Sequence, residues 1–355
     1  MRPIHMGTVA VVVGLAVTAA AAPAPGAKPA VRILATGGTI AGAQASQQSY
    51  GYKSGSFKVE DLIAAVPNLG DLAQLSGEQV ANIGSQDMND AVWLKLAKRA
   101  NDLLATREVD GIVITHGTDT MEETAFFLTL TVASDKPIVL VGSMRPATAI
   151  SADGPGNLHE AVAVAANPGA RGRGVLVVLN DEIHAARNVT KTDTTSVETF
   201  KSLNRGPQGL VHTAQIAWFQ PTDRKHTTRS EFAGKLPAEL PRVDIIFAHA
   251  NMSPSLIDAA VKGGAKGLVV AGVGDGNMTK PAVDALARAA KVGVVVVRST
   301  RLAGGLVLRN NEVNDDQMGF VASGEFTAPK ARVLLQLALT KTRDPKQIQR
   351  MFDEY

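Results

Sequence analysis

The chain has 355 residues, of which 45% are hydrophobic and 19% are charged, so it is long enough to bury the cores of two soluble domains. Its net charge of +3 is too small to indicate nucleic-acid binding. The absence of cysteine excludes disulfides, a thiol nucleophile and thiolate metal ligands.

The N-terminus has the pattern of a secretory signal peptide. Arg2 and His5 precede an apolar run over residues 9–22, which ends in alanines before the spacer PAPGAKP. This order of basic, apolar and small residues is typical of a cleaved signal, which we predict over residues 1–22. A membrane anchor is the alternative, although the apolar run is short for a bilayer span. We therefore expect a periplasmic or secreted protein.

Short runs rich in β-branched residues recur along the chain and end in glycine or polar turns. Continuous apolar strands of this kind are typical of parallel sheets that are buried on both faces. The predicted strands are residues 31–35, 111–115, 137–143, 174–180, 243–250, 267–274 and 293–300. Helical patterns lie between several of them, at residues 89–105, 120–133, 156–166, 281–291 and 329–340, the first opening on an expected N-cap, Asn89. This alternation predicts an α/β fold with parallel sheets.

The alternation of strands and helices stops between Ile183 and Leu240. The sequence there is polar and rich in turn residues, and it ends in KLPAELP before a new strand. We therefore predict an N-terminal domain over residues 30–218, a linker over residues 219–241 and a smaller C-terminal domain over residues 242–355.

The first predicted strand is followed by TGGTIAG, residues 36–42. Functional groups in open α/β sheets collect at the carboxyl ends of strands. The spacing does not fit the GxGxxG of a nucleotide-binding loop. A tight turn that needs glycine is one interpretation. The other is a threonine nucleophile, Thr36 or Thr39, in a loop whose glycines admit substrate and whose amides stabilise an oxyanion.

A threonine hydroxyl is a poor nucleophile and needs a base. Lys191 in VTKT and Tyr52 in GYKSG are candidates, and Thr118 and Asp119 in HGTDT could complete such a group. Burial or neighbouring charge must favour a neutral lysine before it can act as a base, whereas an adjacent Asp119 would favour the ammonium. HGTDT also fits a helix N-cap, in which Asp119 or Thr120 accepts backbone amides.

The seven histidines have neither the HxxxH nor the HExxH spacing of a metal site. We expect His116, which follows the second predicted strand, to be a packed histidine, and we expect no metal site.

Long motifs run through the chain from Val31 to Tyr355. They are LATGGTIAG, ITHGTDTMEETAFFL, GSMRP, SADGPGNL, NDEIHAARNVTKT and ARVLLQLALT. Together they resemble the bacterial type II, periplasmic L-asparaginases. The resemblance implies a large N-terminal α/β domain and a smaller C-terminal one, joined by a linker. It also implies hydrolysis of L-asparagine to L-aspartate and ammonia without metal or cofactor, by a homotetramer whose sites are completed by a neighbouring subunit.

The resemblance also implies catalytic roles. Thr39 would be the primary nucleophile, and Tyr52 the tyrosine of a mobile loop, with Tyr50 close by. Thr118, Asp119 and Lys191 would form a second catalytic group.

Other residues would bind the substrate. Ser85 and Gln86 would hold its α-carboxylate and α-amino group, Asp119 would also face the ammonium, and Gly38 and Thr118 would contribute to the loops around it. The carbonyl of Ser143 would receive the amide nitrogen. Asn277 and Glu312 would come from the neighbouring subunit.

Two alternatives remain open. A glutaminase-asparaginase of the same family would accept both amides, but Gln86 stands where the resemblance suggests glutamate in relatives of broad specificity, so we expect a preference for asparagine. A secreted amino-acid-binding protein without activity would lack Thr39, Thr118 or Lys191, and all three are present.

Overall fold

The computed structural model describes residues 26–43 and 55–355. The predicted signal peptide, residues 1–22, and both Tyr50 and Tyr52 lie outside those ranges. Within them, every helix is too short or too polar to cross a bilayer.

The N-terminal domain is built on one large sheet. Its strands are Ala30–Gly37 (β1), Gln74–Ile83 (β2), Gly111–Thr115 (β3), Ile138–Val141 (β4), Val175–Leu179 (β5), Glu182–Ala185 (β6), Thr190–Lys191 (β7), Phe200–Lys201 (β8), Gly209–His212 (β9) and Gln215–Trp218 (β10). Strands β7 and β8 form a separate antiparallel pair, and the other eight form a sheet in the order β10-β9-β6-β5-β4-β3-β1-β2. Strands β1 to β5 are parallel, and β6, β9 and β10 extend the sheet in antiparallel fashion.

In the described part of this domain, five α-helices pack around the sheet: Val59–Ala64 (α1), Leu69–Leu72 (α2), Asp90–Leu104 (α3), Met121–Thr131 (α4) and Gly154–Ala166 (α5). Helix α3 shows why these segments are helical, because its apolar residues recur at helical spacing and are buried on one face. The predicted N-cap is confirmed, since the Asn89 side chain accepts the amide of Val92 at 3.2 Å.

The C-terminal domain has a smaller sheet, in which every neighbouring pair is parallel. Its strands are Val243–Phe247 (β11), Gly267–Gly272 (β12), Val295–Thr300 (β13) and Phe320–Ala322 (β14), in that spatial order. Its helices are Ser255–Lys262 (α6), Lys280–Lys291 (α7), Asp315–Met318 (α8), Ala328–Leu339 (α9) and Pro345–Glu354 (α10).

Helix α9 packs against α4 of the N-terminal domain. Beside this contact the rings of Phe126 and Phe326 lie 5.1 Å apart, within a core cluster that draws on both domains. The two sheets are therefore joined by buried apolar surface.

The expected α/β fold, with a large, mostly parallel N-terminal sheet and a smaller parallel C-terminal sheet, is confirmed. Two details differ from the sequence prediction. The stretch between Ile183 and Leu240 is not only turns, because β7 to β10 lie in it. Strand β11 is buried on one face only, because Ile245 and Phe247 are exposed at the sheet edge.

Candidate active site

The loops after β1 and β3 lie in backbone contact. Gly38 has φ +83°, and a Cβ placed on it would lie 2.3 Å from the Gly117 nitrogen. A Cβ on Gly117 would lie 2.5 Å from Ser85 Oγ. Because β1 and β3 are parallel neighbours, their carboxyl ends meet at one edge, and glycine allows this close approach. The structure thus brings the TGGT, HGTDT and Ser85 segments together.

The two threonines of TGGT have different surroundings. Thr36 Oγ1 donates a hydrogen bond of 2.8 Å to the Thr115 carbonyl and so links β1 to β3. Thr39 lies beyond Gly38 in a short 3-10 turn, where its side chain is buried. The hydroxyl of Thr36 therefore serves the strand contact, and Thr39 is the threonine that stands at the loop between the strand ends.

Lys191 extends to the loop after β3. Its Nζ donates to Thr118 Oγ1 at 3.0 Å and to Asp119 Oδ1 at 2.7 Å. Thr118 is buried, whereas the side chain of Asp119 is more than half exposed. Three of the expected catalytic side chains thus form one hydrogen-bonded group, with Lys191 between a buried hydroxyl and an exposed carboxylate.

The alternative interpretation of HGTDT as a side-chain cap of α4 is wrong. Thr120 occupies the N-cap position but makes no capping bond. Its hydroxyl donates instead to the Ser85 carbonyl at 2.7 Å, and Ser85 Oγ accepts the Asp119 amide at 3.2 Å. These bonds fix the loop after β3 to the turn that carries Ser85.

The other N-terminal candidates line the same edge of the sheet. Gln86 is exposed, and its amide donates to Asp87 at 3.3 Å. Ser143 is buried after β4, where Oγ donates to the Arg145 carbonyl at 2.7 Å and Cβ lies near Gly154.

His116 is fully buried, as predicted, and lies in a defined network. Nδ1 lies 2.7 Å from the Gly117 carbonyl, and Nε2 lies 2.9 Å from Thr124 Oγ1, which also accepts the indole N–H of Trp93 at 2.8 Å. This arrangement assigns the proton to Nδ1 and lets Nε2 accept from Thr124. Burial lowers the pKa of His116 to about 4, so the imidazole is neutral at pH 7.

Asn277 and Glu312 lie on the C-terminal domain, where Asn277 Nδ2 donates to Glu312 Oε2 at 2.9 Å. Beneath their loops, Arg298 and Asp315 form a fully buried bidentate pair at 2.6 and 2.7 Å. Arg298 also donates to the carbonyls of Asp275 and Leu308, and so ties the loops together. Within the described residues of one chain, Asn277 and Glu312 are not joined to the Thr118, Asp119 and Lys191 group.

Sequence reasoning missed Glu122, which lies in the first turn of α4 and is buried. Its Oε2 accepts both the Thr190 hydroxyl at 2.6 Å and the Lys191 amide at 2.7 Å. An acidic residue at a helix N-terminus is common and carries no mark of this contact in the sequence. Beside this group a cleft of about 630 Å³ opens between the domains, with Asp119 and Lys191 on one wall and Arg301 on the other.

One group of side chains among the described residues has the spacing of a metal site: Glu160, Asp181 and His212. Burial, with a contribution from Asp181, raises the pKa of Glu160 to about 8. The three positions are far apart in the chain, so a search for HxxxH spacing could not find them. The expectation that the reaction needs no metal or cofactor stays a prediction.

Comparison with known proteins agrees with this fold. Residues 30–224 match the family model "Asparaginase, N-terminal", and residues 242–352 match "Glutaminase/Asparaginase C-terminal domain". L-asparaginase 2 of Escherichia coli is 54% identical, over 93% of this chain and 94% of that protein. The probable periplasmic L-asparaginase of Haemophilus influenzae is 52% identical, over 92% and 93%. A glutaminase-asparaginase of Pseudomonas fluorescens is 48% identical, over 92% and 90%.

These matches define the chain as an amidohydrolase. It belongs to the asparaginase family, and the two family domains together span nearly all of residues 30–352.

Proposed function

We propose that this enzyme hydrolyses L-asparagine to L-aspartate and ammonia with Thr39 as the nucleophile. The observation that carries the proposal is the meeting of the β1 and β3 loops. It sets the turn that carries Thr39 against the loop whose Thr118 and Asp119 are hydrogen-bonded to Lys191.

The proposed reaction follows from a hydroxyl at this edge of the sheet. The Thr39 oxygen adds to the carboxamide carbon while its proton passes to a base, and backbone amides together with Thr118 stabilise the oxyanion. The C–N bond then breaks and the nitrogen leaves as ammonia. Water hydrolyses the resulting ester, which releases aspartate and restores the hydroxyl of Thr39.

Two groups are candidates for the base: Tyr52, and Lys191 acting through Thr118. Single variants separate them: Tyr52→Phe tests the tyrosine, and Thr118→Val and Lys191→Met test the lysine, each compared with Thr39→Ala, which removes the nucleophile. We expect Thr39→Ala to abolish ammonia release while the fold and asparagine binding persist, because only a hydroxyl and a methyl group leave the turn. Loss of folding in Thr39→Ala would favour a turn residue instead. An unchanged kcat in Lys191→Met would remove the lysine from the mechanism.

The zwitterionic substrate requires a partner for each of its charges when it loses water. Ser85, with nearby amides, suits the α-carboxylate, and Asp119 suits the ammonium. Gln86 and the backbone of Ser143 would complete this pocket, and Gly38 would leave room for the substrate. Fixing the amino-acid head in this way sets how far the side-chain amide reaches, and so how well glutamine fits.

A glutaminase-asparaginase is the alternative, supported by the name of the Pseudomonas relative. Gln86 favours asparagine over glutamine in our proposal. The test is kcat/KM for both amides, in the wild type and in Gln86→Glu. Near-equal values for the wild-type enzyme would refute the preference.

We further propose that the enzyme is a homotetramer, with Asn277 and Glu312 completing the site of a neighbouring subunit. Their position on the C-terminal domain, away from the Lys191 group of their own chain, supports this. Mixing inactive Thr39→Ala and Glu312→Ala subunits after mild dissociation should restore activity, because some sites would then combine two intact halves. No recovery in mixed oligomers would refute shared sites.

The N-terminal pattern and the name of the Haemophilus relative support export to the periplasm or secretion. Mass spectrometry of the chain recovered from the periplasm should find a mature N-terminus between Ala22 and Ala30. A chain that keeps residues 1–22 would refute cleavage.

A further inference from the structure

The strand that carries Lys191 has little of its own to hold it in place. Strand β7 is two residues long and lies outside the eight-stranded sheet, and within the described part of the chain it pairs only with β8. The position of the Lys191 ammonium therefore depends on what fixes residues 189–191, which we call the lysine segment.

Glu122 holds the lysine segment from the side of α4. One carboxylate oxygen accepts two donors from it, the Thr190 hydroxyl at 2.6 Å and the Lys191 amide at 2.7 Å. Glu122 lies four positions after Thr118, in the first turn of the helix that the Thr118–Asp119 loop enters. The backbone of Lys191 is thus bonded to the first turn of α4, and the loop that carries Thr118 leads into the same turn. This turn therefore helps to position both partners of the Lys191–Thr118 hydrogen bond.

Lys330 holds the lysine segment from the other domain. It lies in the first turn of α9, is fully buried, and its Nζ donates to the Val189 carbonyl. Burial lowers the pKa of Lys330 to about 8, and the nearby charges of Glu122 and Glu123 act in the opposite direction. A buried carboxylate needs compensation, which Lys330 and the N-terminus of α4 supply to Glu122.

We infer that Glu122 is a positioning residue for catalysis, which, together with Lys330, sets the lysine segment so that the Lys191 ammonium meets Thr118 and Asp119. The inference rests on the proposed role of Lys191 in the hydrolysis. An amide oxygen in place of Oε2 could accept the same two donors, but it would lack the negative charge that strengthens both hydrogen bonds.

The test is Glu122→Gln in the full-length enzyme, assayed by ammonia release from asparagine. Loss of the charge that assists these two hydrogen bonds behind the reacting groups should lower kcat by roughly tenfold or more, with KM within about twofold of wild type. Far-UV circular dichroism and the Tm identify folded protein. Glu122→Asp, which keeps the charge, should recover part of the lost kcat.

Glu123→Gln is the matched control. Glu123 is the next residue of α4 and is largely buried, but it faces Arg332 at 3.9 Å rather than the lysine segment. We expect its kcat to match that of the wild type. A kcat for Glu122→Gln equal to that of Glu123→Gln would overturn the inference, as would a loss confined to KM.

Two further variants, Thr190→Val and Lys191→Met, test the inference independently of Glu122→Gln. If Glu122→Gln does not fold, Thr190→Val removes one of the two donors without changing a charge; lowered kcat at constant KM supports the inference, and wild-type kcat overturns it. Lys191→Met distinguishes a failure of the proposed catalytic role of Lys191 from a failure of the positioning role of Glu122. An active Lys191→Met refutes the proposed role of the lysine together with the inference, whereas an inactive one beside a normal Glu122→Gln refutes the inference alone.

Discussion

Acid should weaken the folded enzyme through His116. Burial lowers the pKa of this imidazole from an ordinary value of 6.5 to about 4. The unfolded chain therefore binds a proton between pH 6.5 and pH 4 that the native imidazole refuses. The contribution of His116 to stability is fully present above pH 6.5 and is lost as the pH falls toward 4.

The size of the effect follows from the two pKa values. Between pH 7 and pH 5 the linkage relation gives a loss of about 2 kcal/mol in the free energy of unfolding from this one group. The matched variant is His116→Gln, whose amide can still donate to Gly117 and accept from Thr124. Two other buried histidines with pKa values lowered to about 4, His184 and His226, titrate in both proteins and cancel.

Urea unfolding of the wild type and of His116→Gln at pH 7 and pH 5, at one protein concentration, measures how much of its free energy of unfolding each protein loses. We expect the wild type to lose about 2 kcal/mol more than His116→Gln over this interval. Equal losses would refute the reasoning, as would a histidine NMR signal from His116 that titrates near pH 6.5 in the native enzyme.

Two further predictions concern stability and use the same urea assay. Gly38→Ala should destabilise the enzyme by about 2 kcal/mol or more, because the new Cβ would clash with backbone atoms at a residue of positive φ. Gly172→Ala, with φ +73° and open space around it, should cost only the strain of a positive φ. Equal effects of the two substitutions would contradict the close approach at Gly38. Asp315→Ala should cost about 3–5 kcal/mol by leaving Arg298 buried without its partner, and Asp316→Ala, from an exposed pair, should cost far less; similar values would contradict the burial argument.

Six of the seven strands that the sequence predicted have neighbours on both sides in their sheets, and the exception is β11, which lies at a sheet edge with Ile245 and Phe247 exposed. Strands β3, β4 and β5 are fully buried, so they read as continuous apolar runs. Strand β2 was missed because it lies at the sheet edge and alternates with polar residues, and β7 and β8 were missed because two residues carry no period.

Some residues of the candidate site could likewise be predicted from the sequence, and others could not. Thr118 and Asp119 follow a predicted strand, so strand topology points to them. The partnership of Glu122 with the lysine segment joins residues 69 positions apart, and a glutamate in a helical first turn gives no sign of being buried. The resemblance in motifs identified the groups proposed to touch the substrate, whereas the groups that hold them in place are recognised only from their contacts in the folded structure.

The contact of Lys330 with Val189 also bears on how relatives can be recombined. Helix α9 belongs to the smaller domain, yet its first turn reaches beneath the part of the larger domain that carries Lys191. A chimera that exchanges whole C-terminal domains therefore replaces a supporting group of the Lys191 ammonium as well as a domain. A chimera intended to preserve turnover should therefore take α9 and the larger domain from the same parent protein.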